Sequence, residues 1–346
     1  MSELKKEIVL YGIPGSPGVS HGQVFRFLHG NIEVPQYQVS ESEQEAELGR
    51  FRDAIEITRS QIEEIRNEVA KNLGEKEINQ YIKNTKIDVL MGGIPCQSFS
   101  MSGYRIRKGI DNSDDPRHFL YKEFFRIMDI LKPKVAVIEN VKGILSSNNG
   151  LIVEEIMKSF TNRGYKASFK LLDASKFEIP QIRQRVFIIA TNLNTEIIFP
   201  EEKDSIVAVE NVLNNFPKDI KNHEKRFLTG KSLERAKLLS PGQNWKNLPT
   251  HLQSKSIHSG AYGRIDPKIP SRTITTRFDT PSVGFVTHPY ENRTLTVREG
   301  ARIQTFPDNF IFYGPRMSQF KQVGNAVPVK LAYEVSKGIK SMLSEK

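Results

Sequence analysis

The sequence predicts an α/β protein with a largely parallel sheet, joined to a second, smaller module of irregular structure. Between residues 87 and 191, short apolar runs alternate with longer segments of helical period, the pattern of strands linked by helical crossovers. From about 200 to 290 that rhythm stops. Lys, Asn, His and Gly are scattered there around the only tryptophan, Trp245, with turn sequences such as Ser240-Pro241-Gly242 and Asp266-Pro267. With 346 residues, 38 % of them hydrophobic, the chain can bury a full core.

The first stretch differs from the rest. Glu7-Ile8-Val9-Leu10-Tyr11 reads as a strand, the glycine- and proline-rich residues 12–22 as a turn, and Val24, Phe25 and Phe27 as a second strand. Leu48, Phe51, Ile55, Ile62, Ile65 and Val69 recur near the helical period in an acidic, glycine-poor segment, which predicts one amphipathic helix from about Ser40 to Leu73, capped by Ser40 or Ser42. The 12–22 turn is read as structural: an anion-binding glycine loop leads into a helix, whereas here Pro14 and Pro17 interrupt the turn and strand-like residues follow.

After Gly74 the elements follow in order. Ile87 to Met91 is a short apolar run ending at Gly92-Gly93, which predicts a buried strand with a loop beyond it. Phe119 to Leu131 is a helix ended by Lys132-Pro133, and Val135 to Ile138 is the next strand, leading into Glu139-Asn140-Val141. A helix at about 151–163 is stopped by Gly164, and strands follow near 165–172 and 185–191. A helix from about Pro328 closes the chain, and no internal repeat or low-complexity tract is found.

Composition narrows the function. The formal charge of +10 is uneven: residues 1–75 hold 8 basic and 13 acidic side chains, leaving 42 and 27 to the remainder. The net excess beyond residue 75 suits a polyanion-binding surface. A single cysteine excludes an internal disulfide framework and a zinc ribbon, so no metal is expected. No apolar run of membrane-spanning length and no secretory signal is found, which makes the cytoplasm the expected compartment.

That cysteine, Cys96, follows Pro95 at a strand end, where open α/β sheets place their chemistry. An isolated cysteine is usually a packed small hydrophobe, and a reactive one needs partners that favour its thiolate, since its ordinary pKa is about 8.5. Candidate partners are present. Glu139 ends the next strand, and Arg183 and Arg185 alternate with Gln181 and Gln184 just before the apolar strand Val186 to Ala190. The alternation would aim both arginines the same way. A thiolate, a carboxylate and a guanidinium suit attack on an electron-poor ring whose polar edge is gripped.

Five motifs then resemble, in order, those of DNA cytosine-5 methyltransferases. They are Gly92-Gly93-Ile94-Pro95-Cys96-Gln97-Ser98-Phe99-Ser100, Glu139-Asn140-Val141, Gln181-Ile182-Arg183-Gln184-Arg185, the run from Arg293 to Arg302 with Gln304 and Phe306-Pro307, and Gln322-Val323-Gly324-Asn325-Ala326-Val327-Pro328. The resemblance covers about 76–346 and implies a Rossmann-like, S-adenosylmethionine-dependent methyltransferase sheet, here incomplete at its amino-terminal strands. It implies that Cys96 adds to C6 of a cytosine flipped out of duplex DNA, that Glu139 holds the N3 and N4 edge, and that Arg183 grips the base near O2 with Gln181 and Arg185 in support. Pro95, Gln97, Asn140 and Val141 would shape the pocket. Asn325 and Val327 would close the cofactor site, with Glu77 as a weaker match for the residue that meets the adenine. The charged stretch from Ser100 to Pro116 would close over the base, and the irregular module would read the target. Double-stranded DNA is the implied partner, with a cognate restriction endonuclease as functional companion and a monomer as the working form.

The chain departs from that pattern at its start. The Phe-x-Gly-x-Gly-Gly loop that cradles S-adenosylmethionine, and the acidic residue for its ribose, are not found before Cys96. Residues 12–22 and Arg50 to Ile55 instead resemble the beginning of the sugar-phosphotransferase-system enzyme that takes phosphate from phosphoenolpyruvate, a likeness ending near Gly74. That family's phosphorylated histidine lies in a later motif absent here, so His21 does not inherit the role. Four segments follow: a phosphotransferase-like 1–75, a catalytic 76–199, a target-recognition 200–290, and a return to the catalytic domain over 291–346. The strand at Ile87 to Met91 is expected to lack its inner neighbour. Three functions stay open: a working methyltransferase, a DNA-binding relic with a defective cofactor site, and a phosphotransferase component.

Overall fold

The computed structural model describes residues 8–11, 26–28, 31–33, 86–94, 120–254 and 260–344. The 12–22 turn, the 40–73 helix, Glu77, Pro95, Cys96, Gln97 and the stretch from Ser100 to Pro116 lie outside the described residues.

The chain divides into two compact units, residues 1–168 with 188–193, and residues 169–187 with 194–346. The strands are β1 (Ile8–Tyr11), β2 (Arg26–Leu28), β3 (Asn31–Glu33), β4 (Val89–Gly93), β5 (Val135–Val141), β6 (Lys166–Asp173) and β7 (Gln184–Thr191). Five of them form one sheet in the order β1-β4-β5-β7-β6, and β2 pairs with β3 as an antiparallel ribbon.

In the first unit β4 pairs in parallel with β5, Val89 opposite Val135 through Gly93 opposite Glu139. β5 is apolar and fully buried from Val135 to Ile138, as a central parallel strand must be. The expectation that β4 lacks an inner neighbour is overturned: β1 lies parallel to it, Ile8 opposite Val89 through Tyr11 opposite Gly92. The β-branched and apolar composition of Ile8-Val9-Leu10-Tyr11 is the strand signal already visible in the sequence.

Helix α1 (Leu120–Leu131) buries Tyr121, Phe124, Phe125 and Met128, one stripe at helical spacing. It stops where Lys132 turns to a φ of 45° before Pro133. Helix α2 (Leu151–Thr161) buries Ile152, Val153, Ile156 and Phe160, and Gly164 ends the turn that follows it at a φ of 78°. Phe125 and Phe160 pack edge to face with centroids 4.8 Å apart, tying the two helices together.

The second unit holds α3 (Gly230–Leu238), the short parallel pair β8 (Gly263–Arg264) and β9 (Phe285–Thr287), α4 (Val297–Ile303), α5 (Arg316–Asn325) and α6 (Val329–Ser344). Its core runs from Val209 through Ile274, Phe278 and Leu295 to Phe320 and Val323. A separate small cluster, Leu239, Leu248 and Leu252 with Trp245 and Tyr262 against it, organises part of the irregular stretch.

This unit also buries charge. Arg293 forks onto Glu299 with two bonds of 2.7 Å, and Glu299 also accepts 2.7 Å from Thr296 N in the capping box that starts α4. The His288 ring lies 3.6 Å from Glu299 and accepts at Nδ1 from the main-chain N–H groups of Tyr290 and Glu291. Burial pushes its pKa down to about 4, against a smaller upward pull from Glu299. Arg264, equally buried, donates to the carbonyls of Leu239, His288, Glu291 and Ala236 and to Asn292. Among the described residues no helix is long and apolar enough to cross a membrane, and no cluster of three or more His, Cys, Asp or Glu is arranged to hold a metal.

Candidate active site

The carboxyl rim of β4 and β5 is built from backbone proximity. Gly93 ends β4 directly opposite Glu139. Because Gly93 has no side chain, the half-buried Glu139 lies over it: a Cβ there would sit 3.6 Å from Glu139 Oε2. One residue earlier, a Cβ on Gly92 would come within 2.7 Å of the Phe124 ring. The two glycines therefore serve different neighbours, Gly92 the packing of α1 and Gly93 the space beside the carboxylate.

Asn140 is buried and spends its amide on the main chain. Its Nδ2 donates to Ile94 O at 3.1 Å, and its Oδ1 accepts from Val141 N at 2.8 Å. The residue after the carboxylate thus holds the backbone that leads into Pro95-Cys96. The structure brings Glu139, Asn140 and Val141 together with Gly93 and Ile94 on one rim, and the cysteine itself follows outside the described residues.

In the second unit, the motif from Gln181 to Arg185 is divided between interior and surface. Arg183 is fully buried. Its Nη1 donates to Ile274 O at 2.8 Å, and its Nη2 to Gly324 O at 2.8 Å and Ala326 O at 2.9 Å. A guanidinium spent on three main-chain carbonyls ties the segment at Ile274 to the end of α5. Arg185, the second residue of β7, is half-exposed and donates from Nη1 to Gln184 O at 2.8 Å. The two arginines therefore have different surroundings. The buried one begins before the strand, where Ile182 N bonds to Ser271 O and Arg183 O accepts from Ala174 N.

Gln181 and Gln304 complete this interior. Gln181 Oε1 accepts from Ile274 N at 2.8 Å, and its Nε2 donates to Gln304 Oε1 at 2.9 Å. Gln304 Nε2 donates in turn to Val323 O at 2.8 Å and Ala326 O at 3.3 Å. At Gly324 the chains touch: a Cβ would meet Thr275 O at 2.4 Å. Asn325 follows as the exposed last residue of α5, and Val327 is half-buried just beyond it. Gln304 and Gly324 stand in the motifs without a role assigned from sequence. The signal for Gln304 is a glutamine at the C-cap of a short, almost wholly buried helix, which says nothing of partners twenty residues away.

The comparisons agree with this architecture. Residues 52–341 match the C-5 cytosine-specific DNA methylase family, and residues 11–91 match the amino-terminal family of PEP-utilising enzymes. The two matches overlap over 52–91. Type II methyltransferase M1.HphI of Haemophilus parahaemolyticus is 36 % identical over 278 residues, 78 % of this chain and 73 % of that protein. Type II methyltransferase M.Eco47II of Escherichia coli is 32 % identical over 296 residues, 81 % of this chain and 69 % of the relative. Among solved structures, one described as a DNA modification methyltransferase encoded within an E. coli prophage superposes with a TM-score of 0.55 at 26 % identity, covering 80 % of this chain and 85 % of that one. The Dnmt2 methyltransferase of S. pombe has the same TM-score at 16 % identity and coverage of 80 % and 83 %, a likeness of fold. With motifs, sheet and comparisons in agreement, the chain belongs to the C-5 cytosine-specific DNA methylase family.

Proposed function

We propose that this DNA cytosine-5 methyltransferase acts on a cytosine turned out of duplex DNA, with Cys96 as the nucleophile and Glu139 on the base edge. A base inside the stack cannot be reached by a thiolate, and extruding it costs a few kcal/mol that contacts to the strand must offset. The Cys96 thiolate adds to C6, which makes C5 nucleophilic. After C5 is methylated, loss of its proton and expulsion of the thiolate restore the ring. Glu139, sharing a proton with N3, drains the charge that the addition creates.

The observation that carries this reading is the rim itself. A half-buried carboxylate lies over Gly93, and Asn140 holds Ile94 O two residues before Cys96. Both features support a carboxylate beside the strand that leads, two residues beyond Ile94, to Cys96.

For the second arm, the hydrogen bonds of Arg183 favour a division of labour. Arg183 acts as the clamp under the loop, and Arg185, half-exposed at the start of β7, provides the guanidinium that reaches O2 of the base or its phosphate. A buried fork bonded to three carbonyls favours this division over an O2 contact from Arg183.

The family draws its methyl group from S-adenosylmethionine, whose sulfonium supplies an electrophilic methyl. Of the residues described, Asn325 and Val327 fit one wall of its site: an exposed carboxamide for a polar end and an apolar side chain beside it. The glycine-rich loop and acidic residue of the opposite wall are not found before Cys96. The donor is accordingly expected to bind weakly, with half-saturation nearer millimolar than micromolar. A transfer-defective DNA-binding protein is the second reading, favoured by that same missing loop. Residues 200–290 are proposed to read the target. Their small core at Leu239, Leu248 and Leu252 carries exposed Lys231, Lys237 and Lys246 nearby.

Incubating the chain with unmethylated genomic DNA and tritiated donor tests transfer. Label in 5-methylcytosine, lost in Cys96→Ser and strongly reduced in Glu139→Gln, is the expected result. No label at millimolar donor, with salt-sensitive DNA binding intact, would establish the defective reading instead.

A further inference from the structure

Three segments that the motifs place far apart in sequence meet inside the second unit. They are the arm from Gln181 to Arg185, the segment from Ser271 to Thr275, and the end of α5 with the residues just after it, Val323 to Val327. Each contact between them is a buried or part-buried hydrogen bond or a backbone approach. Arg183 reaches Ile274 O, Gly324 O and Ala326 O, while Gln181 reaches Ile274 N. Gly324 lets the last of these segments lie against Thr275 O.

Gln304, at the end of α4, is the piece that joins these contacts. It is fully buried, and both ends of its amide are used. Oε1 accepts from Gln181 Nε2 at 2.9 Å, and Nε2 donates to Val323 O at 2.8 Å and Ala326 O at 3.3 Å. It also accepts at its own carbonyl from Val329 N, the first residue of α6. A carboxamide accepts from an N–H at one end and donates to carbonyls at the other, which is how Gln304 spans this gap. A hydrocarbon of equal volume would leave the Gln181 donor and the Val323 acceptor buried without partners.

We infer that Gln304 is a positioning residue that holds the Asn325–Val327 segment in register with the Gln181–Arg185 arm, so that the cofactor-facing segment and the base-facing arm move as one body. Its bearing on catalysis rests on the methyltransferase reading; the mechanical link does not. Gln304 itself touches neither base nor donor in this account. It acts through two side chains and two carbonyls.

Two substitutions separate the halves of the link. Gln304→Met removes both the acceptor and the donor at similar volume. Gln304→Glu keeps the acceptor for Gln181 but sets a carboxylate against the Val323 and Ala326 carbonyls, and a donor returns only when that carboxyl is protonated. Amide hydrogen exchange of the full chain, read by mass spectrometry without DNA or donor, gives the primary result. For Gln304→Met, exchange is expected to quicken about tenfold both at Ile274 and across residues 323–327, with residues 135–141 unchanged. For Gln304→Glu, only 323–327 should quicken, and the effect should shrink as pH falls from 8 to 5. A purely space-filling role predicts no change in Gln304→Met, and unaltered exchange at both segments in both variants would overturn the inference. Donor titration adds a separate readout: half-saturation should rise about tenfold in Gln304→Glu, with the maximal rate less affected. Should the unmodified chain transfer no methyl group, the methyltransferase reading fails, while the exchange result still decides the link.

Discussion

The rim of β4 and β5 and the interior behind the Gln181–Arg185 arm solve opposite problems. At the rim, position is set by removal of side chains. Gly92 admits Phe124, Gly93 leaves space beside Glu139, and a single buried amide, Asn140, ties the next strand to Ile94. In the second unit, position is set by burial of polar groups with their partners: Arg183, Gln181 and Gln304 in one lattice, Arg293 with Glu299 in another. The first arrangement leaves Glu139 half-buried with open space beside it at Gly93. The second ties segments far apart in sequence to one another through the buried hydrogen bonds of Arg183, Gln181 and Gln304.

The largest effect should come from breaking a matched pair. Arg293→Met leaves Glu299 as an uncompensated buried carboxylate, since His288 is held neutral beside it. A loss of about 3–5 kcal/mol is expected for such a pair. Urea unfolding of the variant against the parent measures it, and a change under about 1 kcal/mol would show that the pair is not the fixed point of this unit.

A pH titration sharpens the same contrast. His288 titrates near 6.5 when unfolded and is pushed down to about 4 by burial in the fold. The unfolded chain therefore binds more protons between those values, so the stability tied to the neutral ring is full above pH 6.5 and is lost as pH falls toward 4, by about 3 kcal/mol in total. Glu291, held down to about 2 chiefly by Arg293, extends the acid loss below pH 4. Unfolding curves at pH 7, 5.5 and 4.5 should decline in that order. His288→Gln should flatten the upper part of the decline.

At the rim the effects are smaller and differ between adjacent glycines. Gly92→Ala sets a Cβ against the Phe124 ring at 2.7 Å and should cost about 1–3 kcal/mol through displaced packing. Gly93→Ala meets Glu139 Oε2 at 3.6 Å, an ordinary contact, so stability should change by less than about 1 kcal/mol while the carboxylate loses clearance. Equal destabilisation of the two would contradict the separate roles assigned to them.

Much of this was legible without coordinates, for physical reasons that differ by element. The alternation of strands and helices from Val89 to Thr191 is a local signal: α1 buries Tyr121, Phe124, Phe125 and Met128 at a spacing visible in the chain, and Pro133 marks its end. The apolar run from Val135 to Ile138 was likewise readable as a strand, but β5 continues through Val141, so Glu139 lies inside it, opposite Gly93, rather than at its end. Pairing across distance was not readable. β1 and β4 are separated by nearly eighty residues, and nothing in Ile8-Val9-Leu10-Tyr11 names its partner. Arg183 looked equivalent to Arg185 in sequence because the carbonyls that bury it come from residues 274, 324 and 326. For the same reason the neutral state of His288 could not be read from its neighbours in the chain.

The central proposal is that Cys96 attacks cytosine even though residues 11–91 match the amino-terminal family of PEP-utilising enzymes. It can be tested without any methyl donor. If Cys96 adds to C6, C5 takes a proton from water, and reversal of the addition then exchanges the C5 hydrogen with solvent. Duplex DNA tritiated at cytosine C5, incubated with the chain alone, should release tritium into water, and release should fall to background in Cys96→Ser while Gly93→Ala retains part of it. No release from the parent chain above the Cys96→Ser background, with DNA bound, would contradict the account.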